Sequence, residues 1–415
     1  MTEQTRQFVR EHRTDDVRSL MLSSARWKDV DMRQACVQIA AWQRARTKLP
    51  SWAAHDDILF PEQLPMEQCS SELTARYKAE VWKRQRTNGT PAQHIADLTG
   101  GFGIDATMLA QGNTRLTFVE RNPDLCRLAR HNLPLMGVQD IEVVCSDCET
   151  LLPTLPRQDL IYLDPARRDQ HGSRTVALAD CTPDVEQLQD PLLAHADYVM
   201  LKLSPMLDIA DTLRRLRHVG EVHVVSVENE CKELLLLLKS SPCRKELEGG
   251  YHCVNLSDRH PRQTFTFTPD EEQHATCLHT DTLGTYLYEP NASVLKAGGM
   301  RCVAQRFGLR KLHPNSHLYT SDLQQPDFPG RQFEVVAATD FNKKNMVHLL
   351  SDIRQANLTV RNFPLNVADL RRRLKLNEGG SDYLFATTLA DERHVLIRCR
   401  KATAPPTASD TSDRP

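Results

Sequence analysis

The sequence predicts an α/β fold: a mainly parallel sheet with helices on both faces, preceded by a helical region and followed by an α+β unit. Three observations support this. Residues 1–90 show only helical periodicity, strand-length apolar runs alternate with helical stretches from residue 94, and residues 329–402 combine short strands with two helices. Because strands that alternate with helices form parallel sheets, the middle of the chain should carry a helical layer on each side.

The N-terminal region, residues 1–90, should consist of helices. Apolar residues recur every three or four positions in 17–25 and 32–44. A further helix should begin at Ser70-Ser71-Glu72, because a serine cap followed by an acid favours a helix start. Its Tyr77 and Lys78 could cover a bound ligand, although Tyr77 could equally pack in the core.

Residues 91–282 should form the sheet and its helical layers. The predicted strands are 94–96, 116–119, 141–144, 160–163, 198–203, 222–227 and 264–268. The predicted helices are 104–110, 123–136, about 183–193, 209–217 and 231–239, and an acidic loop is expected at 270–273.

The C-terminal part divides into a small segment, 283–328, and a compact α+β unit, 329–402. Strands are predicted at 333–337, 358–361, 383–388 and 394–400, with helices at 343–353 and 367–374. The tail, 403–415, is rich in Pro, Ser, Thr and Asp and should be disordered.

Composition excludes several classes of protein. The 415 residues carry a net charge of −2, so a uniformly basic nucleic-acid scaffold is excluded. The longest apolar run, Leu234 to Leu238, is far shorter than the roughly 20 residues of a membrane span, and the polar N-terminus does not resemble a signal peptide. Twelve scattered cysteines fit a reduced, cytoplasmic chain, and the single Cys145-Cys148 pair predicts no metal site.

The charge is unevenly distributed along the chain. Residues 91–295 have 18 basic and 30 acidic side chains, a net −12, whereas 296–375 have 14 and 6, a net +8. A basic segment attracts phosphate, so this one is a candidate RNA-binding surface. A merely solvated surface would show the same charge.

A glycine-rich turn followed by acids marks a ligand site. Gly101 and Gly103 lie between the first predicted strand, which ends at Asp97, and the next helix. Further acids follow the next strands, at the edge where open α/β sheets bind ligands. The predicted cofactor-binding residues are Asp97, Thr99, Gly101, Gly103, Asp105, Glu120 and Asp147.

The acids decide between two kinds of nucleotide ligand. A pyrophosphate would be repelled by Asp97, whereas S-adenosylmethionine carries an ammonium and a sulfonium and no phosphate. The residues therefore favour a methyl donor over a dinucleotide.

The segment Asp97 to Asp105 resembles the first motif of class I S-adenosylmethionine-dependent methyltransferases, which have a Rossmann-like sheet. Glu120, Asp147 and Asp164-Pro165 fall where later motifs of that fold fall. The flanks resemble a bacterial subfamily with a ferredoxin-like insert and a C-terminal THUMP-like domain; they are Glu67 to Glu72, Tyr288 to Asn291, Lys296 to Gly298, Gly330-Arg331, Arg361 to Pro364 and Leu370 to Gly380. THUMP domains are associated with RNA, so the resemblance implies an RNA substrate.

The acceptor site should lie at Asp164 and Pro165, the predicted catalytic residues. Enzymes that methylate exocyclic amines have Pro and an aromatic residue next, where this chain has Ala166 and Arg167. A covalent mechanism at uracil C5 needs a cysteine near Lys202, and none is there; Cys181 and Cys231 are more simply structural.

The predicted substrate-binding residues are basic or aromatic. They are Arg167, Arg168, Lys202, Arg361, Phe363, Arg371, Arg372 and Arg373. Arginines can hold phosphate and a ring can stack on a base. The alternative for Arg167 and Arg168 is a surface ion pair, and for Arg371, Arg372 and Arg373 it is a solvated helix face. For Lys202 it is a partly buried stem with its head in solvent.

The sequence thus predicts a cytoplasmic methyltransferase that uses S-adenosylmethionine and modifies ribosomal or transfer RNA. Two alternatives stay open. The acceptor could be a protein or a small molecule, or the chain could be a non-catalytic RNA-binding protein with a degenerate methyltransferase core. The sequence does not indicate an oligomeric state.

Overall fold

The computed structural model describes residues 1–86, 94–112, 114–167, 178–240 and 247–403. The chain forms two compact units. Unit 1 comprises Met1–Val222, Glu233–Glu248 and Ser257–Arg259, and unit 2 comprises His223–Lys232, Gly249–Leu256 and His260–Pro415. Almost all of the predicted tail, 404–415, lies outside the described residues.

The N-terminal region is helical, as predicted. Its helices are α1 (Glu3–His12), α2 (Val17–Leu22), α3 (Met32–Lys48), α4 (Pro50–Ala53), α5 (Gln63–Gln68) and α6 (Glu72–Gln85). The predicted serine cap is confirmed, since the Ser71 side chain accepts a hydrogen bond from the Thr74 amide at 3.3 Å. Trp52 and Phe60 pack with Phe102 and Ile104, so these helices share a core with the first helix of the sheet domain.

The first eleven strands and the helices between them follow this region. The strands are β1 (His94–Asp97), β2 (Arg115–Glu120), β3 (Ile141–Cys145), β4 (Gln158–Leu163), β5 (Ala166–Arg167), β6 (Cys181–Thr182), β7 (Ala196–Leu203), β8 (Val219–Val227), β9 (Glu230–Lys239), β10 (Gly250–Leu256) and β11 (Gln263–Phe267). The helices are α7 (Ile104–Leu109), α8 (Pro123–Leu135), α9 (Cys148–Leu151), α10 (Val185–His195), α11 (Ile209–Arg215) and α12 (Pro269–His274). Short 3₁₀ turns occur at Ser24–Arg26, Leu152–Thr154 and Leu178–Asp180.

In unit 1 the strands run in the order β9-β7-β4-β1-β2-β3. β7, β4, β1, β2 and β3 are parallel, whereas β9 is antiparallel to β7. The carboxyl ends of β1, β2, β3, β4 and β7 therefore meet at one edge, where Asp97 and Glu120 each end a strand.

Two predicted elements were wrong. The predicted helix 231–239 is strand β9, whose residues Leu234 to Leu238 are all buried. A run of five apolar residues suits a strand that is covered on both faces, and its pairing with β7 decides the conformation. The predicted loop at 270–273 lies in α12, which Thr268 and Glu271 start with reciprocal hydrogen bonds.

Unit 2 contains the hairpin β10-β11 and a second sheet. Its remaining elements are β12 (Tyr286–Pro290), α13 (Ala292–Ala297), α14 (Met300–Arg306), β13 (Arg310–Lys311), β14 (Tyr319–Ser321), β15 (Gly330–Asp340), α15 (Lys343–Leu349), β16 (Asn357–Arg361), α16 (Val367–Leu374), β17 (Asp382–Thr388) and β18 (His394–Lys401). The sheet order is β13-β14-β12-β15-β18-β17-β16. The predicted C-terminal strands and helices are confirmed. Every helix in the described ranges is too short or too polar to cross a lipid bilayer.

Candidate active site

The turn after β1 needs glycine at three positions, Gly100, Gly101 and Gly103. A Cβ on Gly100 would lie 2.2 Å from Cζ of the buried Phe118, so no side chain fits there. Gly101 and Gly103 have φ angles of +56° and +91°, which favour glycine. Packing and backbone conformation therefore require glycine in the turn that precedes α7.

Two acids hold the turn in place. Glu120 accepts hydrogen bonds from the amides of Gly101 and Asn122, both at 2.8 Å. Asp97 is buried and accepts one from the Thr99 amide at 3.0 Å. Burial, with Asp105, Asp164 and Glu120 nearby, raises the pKa of Asp97 well above its ordinary value, against the effect of the Thr99 amide. Asp147 is exposed at the start of α9, outside any capping hydrogen bond.

The carboxyl end of β4 contacts this turn directly. The amide of Asp164 donates to Thr99 Oγ1 at 2.6 Å, and Lys202 Nζ donates to Asp164 Oδ2. Burial opposes the positive charge of Lys202, but Asp164, Asp105 and Glu233 outweigh it and raise the pKa of the ammonium. Pro165 is buried and Ala166 is exposed. Arg168 and the side chain of Arg167 lie outside the described residues.

A buried ionic cluster lies behind this pair. Lys78 is fully buried, and its Nζ donates to Asp105 Oδ1 at 3.0 Å, Glu233 Oε2 at 2.9 Å and Ser70 Oγ at 3.0 Å. Asp105 Oδ2 also accepts from Ser70 Oγ at 2.6 Å and from the Tyr162 hydroxyl at 2.8 Å. Burial opposes ionisation of Asp105, but the lysines and these hydrogen bonds outweigh it and lower its pKa.

The pairing register places these groups on one face of the sheet. Tyr162 is the cross-strand partner of Asp97, and Lys202 is the partner of Leu235. Glu233 lies two residues before Leu235 and so shares its face. A polar stripe therefore runs across β1, β4, β7 and β9 near the carboxyl ends of the parallel strands.

Comparison with known proteins agrees with this geometry. Residues 286–329 match the model of a ferredoxin-like domain and 330–401 that of a THUMP domain-like family. A Porphyromonas gingivalis protein, whose crystal structure is described as that of a methyltransferase, is 36% identical to this chain. The match covers 96% of this chain and 98% of that protein's chain, and the two structures superpose with a TM-score of 0.86. The protein belongs to this methyltransferase family.

Relatives with lower identity specify the cofactor. An uncharacterised S-adenosylmethionine-dependent methyltransferase of Mycobacterium tuberculosis is 27% identical over 71% of this chain and 76% of its own length. Ribosomal RNA small subunit methyltransferase J of Legionella pneumophila is 29% identical over 43% of this chain and 77% of its own. The protein is thus an S-adenosylmethionine-dependent methyltransferase, as the sequence predicted.

The residues of the methyltransferase fit this cofactor. Gly101 and Gly103 set the backbone of the turn, and the acids beside it, Asp97 and Glu120, are the residues that would hold the ammonium and ribose hydroxyl groups of the cofactor. S-adenosylmethionine supplies an electrophilic methyl group on a positively charged sulfur. Both oxygens of Asp105 have protein partners, as do both oxygens of Glu120.

Tyr162 and Glu233 were not predicted as site residues, and Lys78 was not predicted to form buried ion pairs. A signal existed for Lys78, which lies three residues after Ala75 and four before Trp82, on the buried side of α6. For Glu233 there was none, because the adjacent leucines were interpreted as a helix.

The predicted residues of the THUMP-like domain are engaged within unit 2. Arg361 and Arg331 both bind the buried carboxylate of Glu289. Phe363 packs edge-on against Phe341 with ring centroids 4.8 Å apart. On α16, Arg371 donates to the Ala356 carbonyl at 3.2 Å, Arg372 pairs with Asp369, and Arg373 lies 4.7 Å from the Phe341 ring centroid.

Proposed function

We propose that the methyltransferase transfers the methyl group to RNA at the edge of the unit 1 sheet. The observation that carries the position of this site is the hydrogen bond from the Asp164 amide to Thr99, because it ties the strand that ends at the proposed acceptor residues to the cofactor turn. The proposed cofactor-binding residues are Asp97, Thr99, Gly101, Gly103, Glu120 and Asp147. Asp164 and Pro165 form the acceptor site, and Asp105 supports the turn from behind.

Three features support an RNA acceptor. The Legionella relative is named as a ribosomal RNA methyltransferase, and this chain has a match to a THUMP domain-like model. The net +8 of residues 296–375 overlaps that match and would attract a phosphate backbone. Arg371, Arg372, Arg373, Arg361 and Phe363 are the proposed contacts in that region, and Arg167, Arg168 and Lys202 those near the acceptor.

The proposed organisation assigns one task to each part of the chain. Residues 91–282 would bind the cofactor and carry the acceptor site. Residues 283–328 and 329–402 would form the ferredoxin-like segment and the THUMP-like domain, and 1–90 would cover the core.

The test compares modified nucleosides in total RNA from a deletion strain, from wild type, and from strains complemented with Asp164→Ala. We expect one methylated nucleoside to be missing in the deletion strain and to stay missing with Asp164→Ala, since the acceptor would lose its contact. Purified Asp164→Ala should still bind S-adenosylmethionine by calorimetry. Asp29→Ala, an exposed acid of the N-terminal region, is the control and should restore the nucleoside. Full restoration by Asp164→Ala would contradict the proposed site.

A further inference from the structure

An ion pair that includes the ammonium of Lys202 lies at the proposed acceptor site. The Lys202 ammonium donates to Asp164, and the two side chains are 13% and 34% exposed, so the pair is at the open edge of the buried stripe. Among the described residues, the second carboxylate oxygen of Asp164, Oδ1, has no hydrogen bond. The pair thus presents two groups to the substrate atom that receives the methyl group. They are a carboxylate oxygen, which can accept a hydrogen bond, and an ammonium.

The buried cluster holds this cation in place. Glu233 lies on the same face as Lys202, and Lys78 links it to Asp105. Within the described part of the chain, Glu233 Oε1 is buried and has no hydrogen-bond partner, and Glu233 is one of the acids that raise the pKa of Lys202. Lys78, Asp105 and Glu233 are positioning residues, because they act through Lys202 and Asp164.

Once Asp164 has taken up a proton, the Lys202 ammonium has lost its counter-charge and discriminates between two classes of acceptor. A neutral exocyclic amine becomes positively charged as it attacks the methyl group, and a neighbouring ammonium raises the energy of that transition state. A hydroxyl or a ring imide loses its proton and becomes negatively charged, and the same ammonium stabilises it. The exposed Ala166, which cannot stack on a base, agrees with an acceptor other than a stacked amine.

We propose that the acceptor is an RNA group that gives up a proton as it attacks, a ribose hydroxyl or a ring imide N–H, and that Lys202 stabilises its negative charge while Asp164 takes the proton. This inference rests on the proposed function. The acceptor's lone pair forms the new bond to the methyl carbon, the carbon–sulfur bond breaks with its electrons going to sulfur, and the proton passes through Asp164 to solvent. Neither an oxidant nor a metal is needed for this balance.

The first experiment identifies the methylated atom. Purified enzyme and radiolabelled S-adenosylmethionine are incubated with total RNA from the deletion strain, and the labelled nucleoside is identified after digestion. A 2′-O-methyl product assigns the ribose hydroxyl, and a methylated imide nitrogen assigns the base; either supports the proposal. A methylated exocyclic amine or ring carbon overturns it.

The same reaction separates failure of this inference from failure of the RNA proposal. If RNA stays unlabelled, the protein and small-molecule fractions of the same strain are tested. An O-methyl product there contradicts the RNA proposal and supports a proton-losing acceptor. An N-methylated amine, or no labelled product in any fraction, overturns the inference.

The second experiment tests Lys202 itself. We expect Lys202→Met to bind S-adenosylmethionine as tightly as wild type or more tightly, because a positive charge near a cationic ligand is removed. Methyl transfer should fall by about 100-fold, in line with the loss of one group that stabilises developing charge, and the rise of its rate with pH should shift to higher pH. Lys202→Arg, which keeps the charge, should recover part of the rate. Lys232→Met is the control, and undiminished transfer by a folded Lys202→Met contradicts the role.

Discussion

At the scale of single residues, Gly100 shows how tightly the cofactor turn is packed. Any Cβ at this position meets the ring of Phe118, which is completely buried and cannot move aside freely. We expect Gly100→Ala to lower the free energy of unfolding by about 1–3 kcal/mol, as overpacking does, and to weaken binding of S-adenosylmethionine. Urea denaturation and calorimetry measure the two effects.

Gly220→Ala is the matched control for this substitution. Its Cβ would first meet Cε of the Lys239 side chain at 3.1 Å, a flexible group that can move. We expect its unfolding free energy to stay within about 0.5 kcal/mol of wild type. Equal losses in the two variants would contradict the steric explanation.

Asp97 should make the stability of the protein depend on pH. Burial and neighbouring acids raise its pKa in the folded state well above 3.8. The folded state therefore retains a proton that the unfolded chain releases, and this contribution to stability is lost as pH rises from about 4 towards the raised pKa. Asp97→Asn does not titrate, so its stability relative to wild type should increase between pH 4 and 7.

Urea denaturation at a series of pH values measures this difference. Asp29→Asn, at an exposed position, is the control, and its stability relative to wild type should hardly change with pH. A constant difference between Asp97→Asn and wild type would mean that folding does not raise the pKa of Asp97.

At the scale of elements, Lys78 joins α6 to α7 and β9. Removing only the lysine leaves the buried Asp105 and Glu233 without the ammonium that pairs with both of them. We expect Lys78→Met to cost about 3–5 kcal/mol in unfolding free energy. The double variant Lys78→Met/Glu233→Leu keeps the net charge of the cluster and should recover much of that loss.

The rate of methyl transfer distinguishes a loss of stability from a loss of Lys202 positioning in these variants. If Glu233 helps to place Lys202, transfer by the double variant should stay low even after its stability has recovered. Lys28→Met, at an exposed site, is the control for loss of a charge. If Lys78→Met were no less stable than Lys28→Met, the result would contradict a stabilising role for the ionic cluster.

At the scale of the whole molecule, charge is divided between an acidic and a basic stretch of chain. The net −12 of residues 91–295 suits a cationic cofactor, and the net +8 of residues 296–375 suits a phosphate backbone. Exposed Arg372 and Arg373 on α16 belong to the basic stretch. Both already have partners within unit 2, Asp369 and the Phe341 ring, which they would share with RNA.

We expect Arg372→Gln/Arg373→Gln to weaken RNA binding and to reduce the slope of log affinity against log salt by about 1.4 for two lost contacts to single-stranded RNA. Filter binding at several salt concentrations measures this slope. Arg33→Gln/Arg44→Gln removes the same charge from exposed positions of α3 and is the control. An unaltered slope would exclude α16 from the RNA-binding surface.

The sequence by itself determined the features that depend on local chemistry. Periodicity identified the helices of the N-terminal region and the parallel strands, and the Ser71 cap marked the start of α6. The glycines and acids around Asp97 indicated a methyl donor, because their backbone freedom and charge are properties of the residues themselves. Each of these signals lies within a short stretch of the sequence and does not depend on a residue far away in the chain.

Only the tertiary structure decided which groups meet across the sheet. Leu234 to Leu238 contain no periodicity, so pairing with β7 was needed to make them a strand. That pairing brings Glu233 to the face of Lys202, and α6 brings Lys78 to Asp105 from 27 residues away in sequence. A charged residue in a buried position gains its role from the partner that neutralises it, and that partner is set by packing between distant segments.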